Sequence, residues 1–402
     1  MNSLEKNNIP AGYKDSAVGI IPQEWEVATL GTLVSITSGE SPSLFNLEDF
    51  GKYPYIKVED MNNCDKYQVN SREYTNDERV VIAKGSIIFP KRGAAITNNK
   101  VRIAACQLYM DSNMMAITPN NLVCGDYLYF KITYEQLFRI ADTSTIPQIN
   151  NKHIIPYKIC LPPMAEQRKI AEILGAWDEA IEKQSRLIEK LELRKRGLMQ
   201  RLLTGRTHLP GFTTPWQKVK LGEIFKERNE TKCEHLPLLS ITADRGIILQ
   251  SESDKKDTSN DDKSKYKRIC PNDIGYNTMR MWQGRSALSA MEGIVSPAYT
   301  IVTPKVEVDP LFISELIKQP RVVYDFWTHS QGLVGDTLNC KFHDLSLVKV
   351  AIPSLPEQKA IAEVLTVADN EIATHRKKLD ALRLQKRGLM QQLLTGKTRV
   401  KI

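Results

Sequence analysis

Residues 195–207 read KRGLMQRLLTGRT, and residues 386–398 read KRGLMQQLLTGKT. The two stretches differ only at Arg201/Gln392 and Arg206/Lys397, and 386 − 195 is a shift of 191 residues. The same shift carries Glu166-Gln167 onto Glu357-Gln358 and Ile170-Ala171-Glu172 onto Ile361-Ala362-Glu363. It also carries Trp25 onto Trp216 and Leu30-Gly31 onto Leu221-Gly222. One offset therefore covers nearly the whole 402-residue chain. Two tandem copies of one large unit are implied, not a short-period solenoid.

Each copy has two parts. Residues 20–160 and 207–351 carry β-branched and aromatic runs broken by Gly, Pro and Asn, such as Gly85–Phe89 and Tyr299–Thr303. Runs of that length and composition read as strands within a mixed α/β part. Residues 161–206 and 352–402 read as long helices, and residues 1–19 as a tail. In the first helix Ile170, Leu174, Trp177, Ile181, Ile188, Leu191, Leu198 and Leu202 recur at alternating steps of four and three once Gln184 and Lys195 are counted. Its counterpart carries Ile361, Leu365, Ala368, Ile372, Leu379, Leu382, Leu389 and Leu393, interrupted at His375 and Lys386. That period is a coiled-coil seam, and polar residues within a seam fix its register.

Helix-end signals agree with this placement. Ser354 and Glu357 have capping-box spacing, with Pro356 in the first turn. Gly205 and Gly396 stand where a helix stop belongs. Gly197 and Gly388 lie inside the helices at a cost of about 1 kcal/mol each relative to Ala, which points to close packing there or a local bend. About 40 residues of helix span about 60 Å. Pairing the two helices antiparallel within one chain would put the globular parts at opposite ends about a pseudo-two-fold axis, as in a ruler. The fold class expected is thus mixed α+β: two α/β domains separated by two long helices that form an antiparallel coiled coil.

Composition narrows the functions. Charged residues make up 25% and the formal net charge is +8, which suits a polyanionic partner without requiring one. No run is long and apolar enough to cross a bilayer, and Met1–Pro10 lacks the apolar segment of a signal peptide, so a cytoplasmic protein with no membrane partner is expected. Seven scattered cysteines fit buried thiols in a reducing compartment. Cys340 and His343 alone cannot make a four-ligand metal site, and no metal is expected.

Motifs that suggest catalysis dissolve on inspection. Leu161-Pro162-Pro163-Met164 lacks the leading Asp or Asn and the trailing aromatic of an adenine methyltransferase loop. Thr395-Gly396-Lys397-Thr398 has Gln391 where a phosphate loop needs Gly, and it closes a helix instead of opening one. No catalytic residue and no cofactor is assigned to this chain.

Basic reading loops remain. Phe89-Pro90-Lys91-Arg92-Gly93 follows a strand in the first globular part, and Tyr276 to Arg285 follows one in the second. Lys91, Arg92, Arg280, Gln283 and Arg285 are candidate DNA contacts, because Arg, Lys and Gln make the paired hydrogen bonds that phosphates and base edges accept. A second loop, Thr143–Asn150, adds Gln148 and Asn150, with Gln331–Asn339 as its rough counterpart. Ser251–Lys267 reads as an exposed charged loop, and the clusters 194–196 and 386–387 as solvated helix faces.

The layout resembles the specificity subunits of type I restriction–modification systems over essentially the full chain. The resemblance rests on Ile21-Pro22…Trp25…Leu30-Gly31, on Pro162-Pro163-Met164-Ala165-Glu166-Gln167, and on the KRGLMQRLLTG helix end with its copy. YNTMRMWQGRSA at 276–287 and GIVSPAYTIVTP at 293–304 are similar to one recurring type of target-recognition domain. It implies two target-recognition domains on double-stranded DNA, each reading half of an interrupted site. It also implies docking of modification (methyltransferase) subunits, two in number, that bind S-adenosylmethionine, and of restriction subunits. The chain itself would be non-catalytic. Globular interiors that differ on a repeated frame predict an asymmetric target. The readings that compete are a coiled-coil adaptor without DNA binding and a free-standing methyltransferase or nuclease.

Overall fold

The computed structural model describes residues 9–242, 245–253, 259–305, 307–332 and 338–402. The chain divides into two compact units, Met1–Ser185 with Lys378–Ile402, and Arg186–Lys377.

In the first unit the order is β1 (Glu26–Thr29), β2 (Val34–Ser38), β3 (Tyr67–Gln68), β4 (Ile87–Pro90), β5 (Arg102–Ala104), β6 (Met114–Pro119), α1 (Gly125–Glu135), β7 (Lys158–Leu161) and α2 (Met164–Leu202), the last shared with the second unit. Strands β2-β6-β4-β5-β3 form one sheet, and β1 pairs antiparallel with β7. The second unit holds β8 (Gln217–Lys220), β9 (Phe225–Arg228), β10 (Ile274–Asn277), β11 (Ser286–Leu288), β12 (Tyr299–Pro304), α3 (Pro310–Leu316), α4 (Pro320–His329), β13 (Lys349–Ile352) and α5 (Leu355–Leu394), the last shared with the first unit. Its sheet runs β9-β12-β10-β11, and β8 pairs antiparallel with β13. The shift of 191 thus holds to the residue at β1/β8, β7/β13 and the starts of α2 and α5. Both units repeat one frame of mixed α/β domain plus long helix.

The Leu-Gly pairs of the repeat have a steric reason. Leu30 N donates to Tyr157 O (2.8 Å) and Gly31 N to Ile155 O (3.1 Å). A Cβ on Gly31 would stand 2.9 Å from Ile155 Cγ2, and one on Gly222 would stand 2.9 Å from Ser346 Cβ. Only glycine lets the start of each domain lie on its end.

The long helices run antiparallel within each unit. In the first, Ile170 and Leu174 share a core with Met390, Leu393 and Leu394, and Asp178 pairs with Lys386. In the second, Leu198 and Leu202 join Ile361 and Leu365, and Lys195 pairs with Asp369 at 2.7 Å. Ile170, Leu174, Ile188, Leu191 and Leu202 are buried, as are Ile361, Leu365, Ala368, Ile372, Leu379 and Leu393. Trp177, Ile181, Leu198, Leu382 and Leu389 are half-buried. Gln184 is buried as well.

Four expectations change. A Cβ on Gly197 or Gly388 would meet nothing within 4 Å, so no close packing explains those glycines. Glu357 does not close a capping box: its Oε1 lies 2.9 Å from His208 Nδ1, and its Oε2 has no partner. The clusters at 194–196 and 386–387 are not merely solvated. Arg194 pairs with Glu371, and Lys195 and Lys386 bridge to the facing helix as above. The expected tail is also tied down from Tyr13 on: Tyr13–Lys14 pairs with Ile21–Pro22, and Tyr13 Oη donates to Gly396 O (3.0 Å).

Candidate nucleic-acid interface

Strand β4 delivers the first candidate loop. Beyond Pro90, Lys91 N donates to Asn113 O (2.8 Å) and Lys91 O accepts from Ile149 N (2.8 Å). Gly93 N donates to Pro147 O (2.8 Å), and Arg92 bridges antiparallel to Gln148. Gln148 is held in turn by reciprocal backbone bonds with Asp142, of 2.9 and 3.0 Å. The two loops singled out in the sequence are therefore one platform, anchored by the fully buried Ile149. It brings Lys91, Arg92 and Gln148 together. Asn150 follows at the start of the helix Asn151–Ile154, its backbone N–H donating to His153 Nδ1 at 3.2 Å.

Arg92 and Asn150 are exposed, while Lys91 and Gln148 are half-buried. Burial pushes the Lys91 ammonium below the ordinary lysine range, with Asp111 opposing. A cation already partly stripped of water gives up less hydration when it meets a phosphate.

The second unit repeats this platform with different side chains. Thr278 O accepts from Cys340 N (2.9 Å), the counterpart of Lys91 O with Ile149 N. Gln331 and Asn339 exchange bonds of 3.0 and 2.8 Å, as Asp142 and Gln148 do. Residues 333–337 of that loop lie outside the described residues. Burial pushes the Cys340 thiol up to about 12, as befits a neutral core group.

This pairing corrects an equivalence read from the sequence. Lys91 and Arg92 correspond to Thr278 and Met279, not to Arg280–Arg285. Strands β4 and β10 start at 87 and 274, a shift of 187, so four residues are missing before this point in the second copy. The basic residues of the second loop, Arg280 and Arg285, instead flank the turn Met281–Gln283, which repeats the bonds that Ile96 N and Thr97 N make to Gly93 O and Ala94 O in the first copy. Met281 is buried with Val322 and Phe326 of α4 and roots the turn. Arg280 N donates to Asn277 O (3.0 Å) and Gln283 N to Arg280 O (2.9 Å). Gly284 closes the turn at φ +72°. Gln283 and Arg285 are exposed and Arg280 is half-buried.

Asn339 and Met279 were passed over in the sequence. The shift of 191 maps Gln148 onto Asn339 and would have found the first. Met279 lies inside a gapped stretch and carries no such signal. Among the described residues no group of three or more His, Cys, Asp or Glu is placed to hold a metal ion. Among them, too, no helix is long and apolar enough to cross a membrane.

Residues 22–193 and 311–384 match the type I restriction modification DNA specificity domain. The type I restriction enzyme MjaVIII specificity subunit of Methanocaldococcus jannaschii is 25% identical over 95% of this chain and 94% of its own. Two solved structures share the fold at 17% identity. One is the S subunit of a type I restriction-modification system from M. genitalium, with a TM-score of 0.56 over 92% of this chain and 96% of that one. The other comes from a study of complex assembly and conformational transition of the type I R-M system, with a TM-score of 0.59 over 94% and 99%. With the family match spanning more than half of its residues, on a frame that is itself repeated, this chain belongs to the type I restriction modification DNA specificity domain family.

Proposed function

We propose that the chain is the DNA-specificity subunit of a type I restriction–modification complex, reading a bipartite, asymmetric site on double-stranded DNA. Residues 20–160 and 207–351 act as its two target-recognition domains. Residues 161–206 and 352–402 are the spacer helices, paired through the seam from Ile170 to Leu202 and from Ile361 to Leu393. The chain holds modification and restriction subunits on the DNA in the cytoplasm and does no chemistry itself; S-adenosylmethionine belongs to the modification subunit.

The observation that carries this reading is the pair of like-built platforms with unlike side chains. Lys91, Arg92, Gln148 and Asn150 face the first half-site. Arg280, Gln283 and Arg285 face the second. Symmetric DNA-binding dimers read palindromes because their two surfaces are identical. Two surfaces that differ, on one frame, read two different half-sites.

The test is co-expression with the type I modification subunit encoded beside it, followed by genome-wide mapping of methylated adenines. One interrupted, asymmetric motif that vanishes when this chain is deleted is expected. An inverted repeat of a single half-site would overturn the two-reader reading. Failure to form any complex with the modification subunit would favour a coiled-coil adaptor.

A further inference from the structure

Helix α4 leaves two large rings in solvent where the second platform is rooted. Tyr324 is 60% exposed and Trp327 is 47% exposed, with ring centroids 5.5 Å apart. The opposite face of the helix, Val322 and Phe326, is buried with Met281 of the basic turn. Turn and helix are thus one rigid piece: a Cβ on Gly284 would come within 3.0 Å of Val323. Arg321 lies one turn before Tyr324 and is exposed, as is Arg285 across the turn. Trp282 Nε1 is tied to Met279 O (3.0 Å), and Met279 is itself 47% exposed.

Isolated exposed apolar residues need no explanation, but a paired aromatic face does. Its flanking charges select the occupant. Rings with Arg321 beside them on the helix and Arg285 across the turn match duplex DNA, which offers phosphates to the cations and sugars and thymine methyl groups to the rings. A neutral protein groove would leave those arginines without a counter-charge. Among the described residues, the first unit has at this place the 3-10 turn Leu137–Ile140, with one exposed ring, Phe138.

We infer that Tyr324 and Trp327 form an aromatic contact to the DNA, adjoining the Arg280–Arg285 turn and present in the second reader alone. The inference rests on the specificity-subunit reading above and deepens it. Two kinds of contact then hold the second half-site. Arginine contacts release counterions and weaken as salt rises. Ring contacts do not.

The experiment uses the full chain assembled with its modification subunit, and a short duplex carrying the motif mapped by adenine methylation. Tyr324→Ser with Trp327→Ser is expected to lower affinity by about ten-fold or more while the slope of log affinity against log salt stays unchanged. Arg285→Ala is expected to flatten that slope by about one unit. Tyr324→Phe with Trp327→Phe, which keeps the rings, is expected to retain most of the affinity. Undiminished binding by the serine variant would overturn the inference. So would loss of the modification subunit from that variant, which would make the face a protein-docking surface. A wild-type complex that ignores the mapped motif would instead sink the parent reading, and this one with it.

Discussion

Each unit fastens its α/β domain to a long helix at one joint, and the two joints differ. In the first, Glu166 is fully buried and fully occupied. Trp25 Nε1 donates to its Oε2 (2.9 Å), and Arg399 donates through Nε (2.7 Å) and Nη2 (2.9 Å). Lys131 Nζ and Cys160 Sγ both reach Leu394 O, at 3.1 and 3.3 Å, and cap the end of α5. Burial works against the Lys131 ammonium, but Cys160 and Glu135 more than offset it and its pKa lies above the ordinary lysine value. In the second joint Glu357 is as deeply buried, yet its Oε2 has no partner, nor has Trp216 Nε1. His208 stands where a shift of 191 would put Arg399. One joint holds its carboxylate with a permanent cation in bidentate geometry, the other with a titratable ring through a single oxygen. The repeat of the backbone does not extend to the strength of the fastening.

The largest test of this difference is to remove each tryptophan. Trp25 has no exposed surface, whereas Trp216 is only half-buried, edge-on to Phe312 at 5.8 Å. Trp25→Ala is expected to cost about 4 kcal/mol and Trp216→Ala about 2 kcal/mol. Amide hydrogen exchange resolved to residues 25–35 and 216–226 would read the two separately. Equal losses would break the comparison.

A second measurement should find the joints alike. Gln167 Oε1 accepts from Cys124 N (2.8 Å) and its Nε2 donates to Pro162 O (2.9 Å). Gln358 repeats both bonds with Asp309 N and Pro353 O, each 2.9 Å. Cys124 and Asp309 are the residues from which α1 and α3 start. Each glutamine therefore locks the first turn of a long helix to the first turn of a domain helix. Gln167→Ala and Gln358→Ala should each cost about 2 kcal/mol, since each strands a half-buried amide and a buried carbonyl. Faster exchange at the Cys124 or Asp309 amide would report it, and a clear inequality would place the asymmetry elsewhere.

The smallest effect is also the most direct. His208→Arg supplies the second joint with the fork that the first already has. A gain of about 1 kcal/mol in the stability of residues 186–377 is expected. An unchanged or lowered melting transition would mean that the vacant Glu357 oxygen is not what separates the joints.

Much of this was legible in the sequence, for reasons that can be named. The helices announce themselves because a seam is a local pattern, and positions three and four apart share a face whatever they meet. The frame is legible because 191 holds without a gap at Trp25, Glu166 and Gln167. The reading loops were found singly, by Lys, Arg and Gln near a glycine. Their union was hidden, because the bridge between Arg92 and Gln148 joins residues far apart in sequence. Their alignment was misread, because deletions inside the second domain shift β10 by four. Arg399 and His208 were missed for the opposite reason: they share a position but not a chemistry.

Tyr13 and Gly396 touch across a separation of 383 residues. During synthesis at about 5–20 residues per second, the residues that complete the first joint emerge on the order of 20–80 s after those that wait for them. Over that interval the Trp25 face stands without its cover, and the Glu166 carboxylate waits about 12–47 s for Arg399, 233 residues on, whereas Glu357 meets His208 as soon as the chain has passed it. The first domain made is therefore the last one sealed. A chain that stops short of Leu394 lacks the Leu393–Leu394 cover of that core and leaves an open, apolar seat.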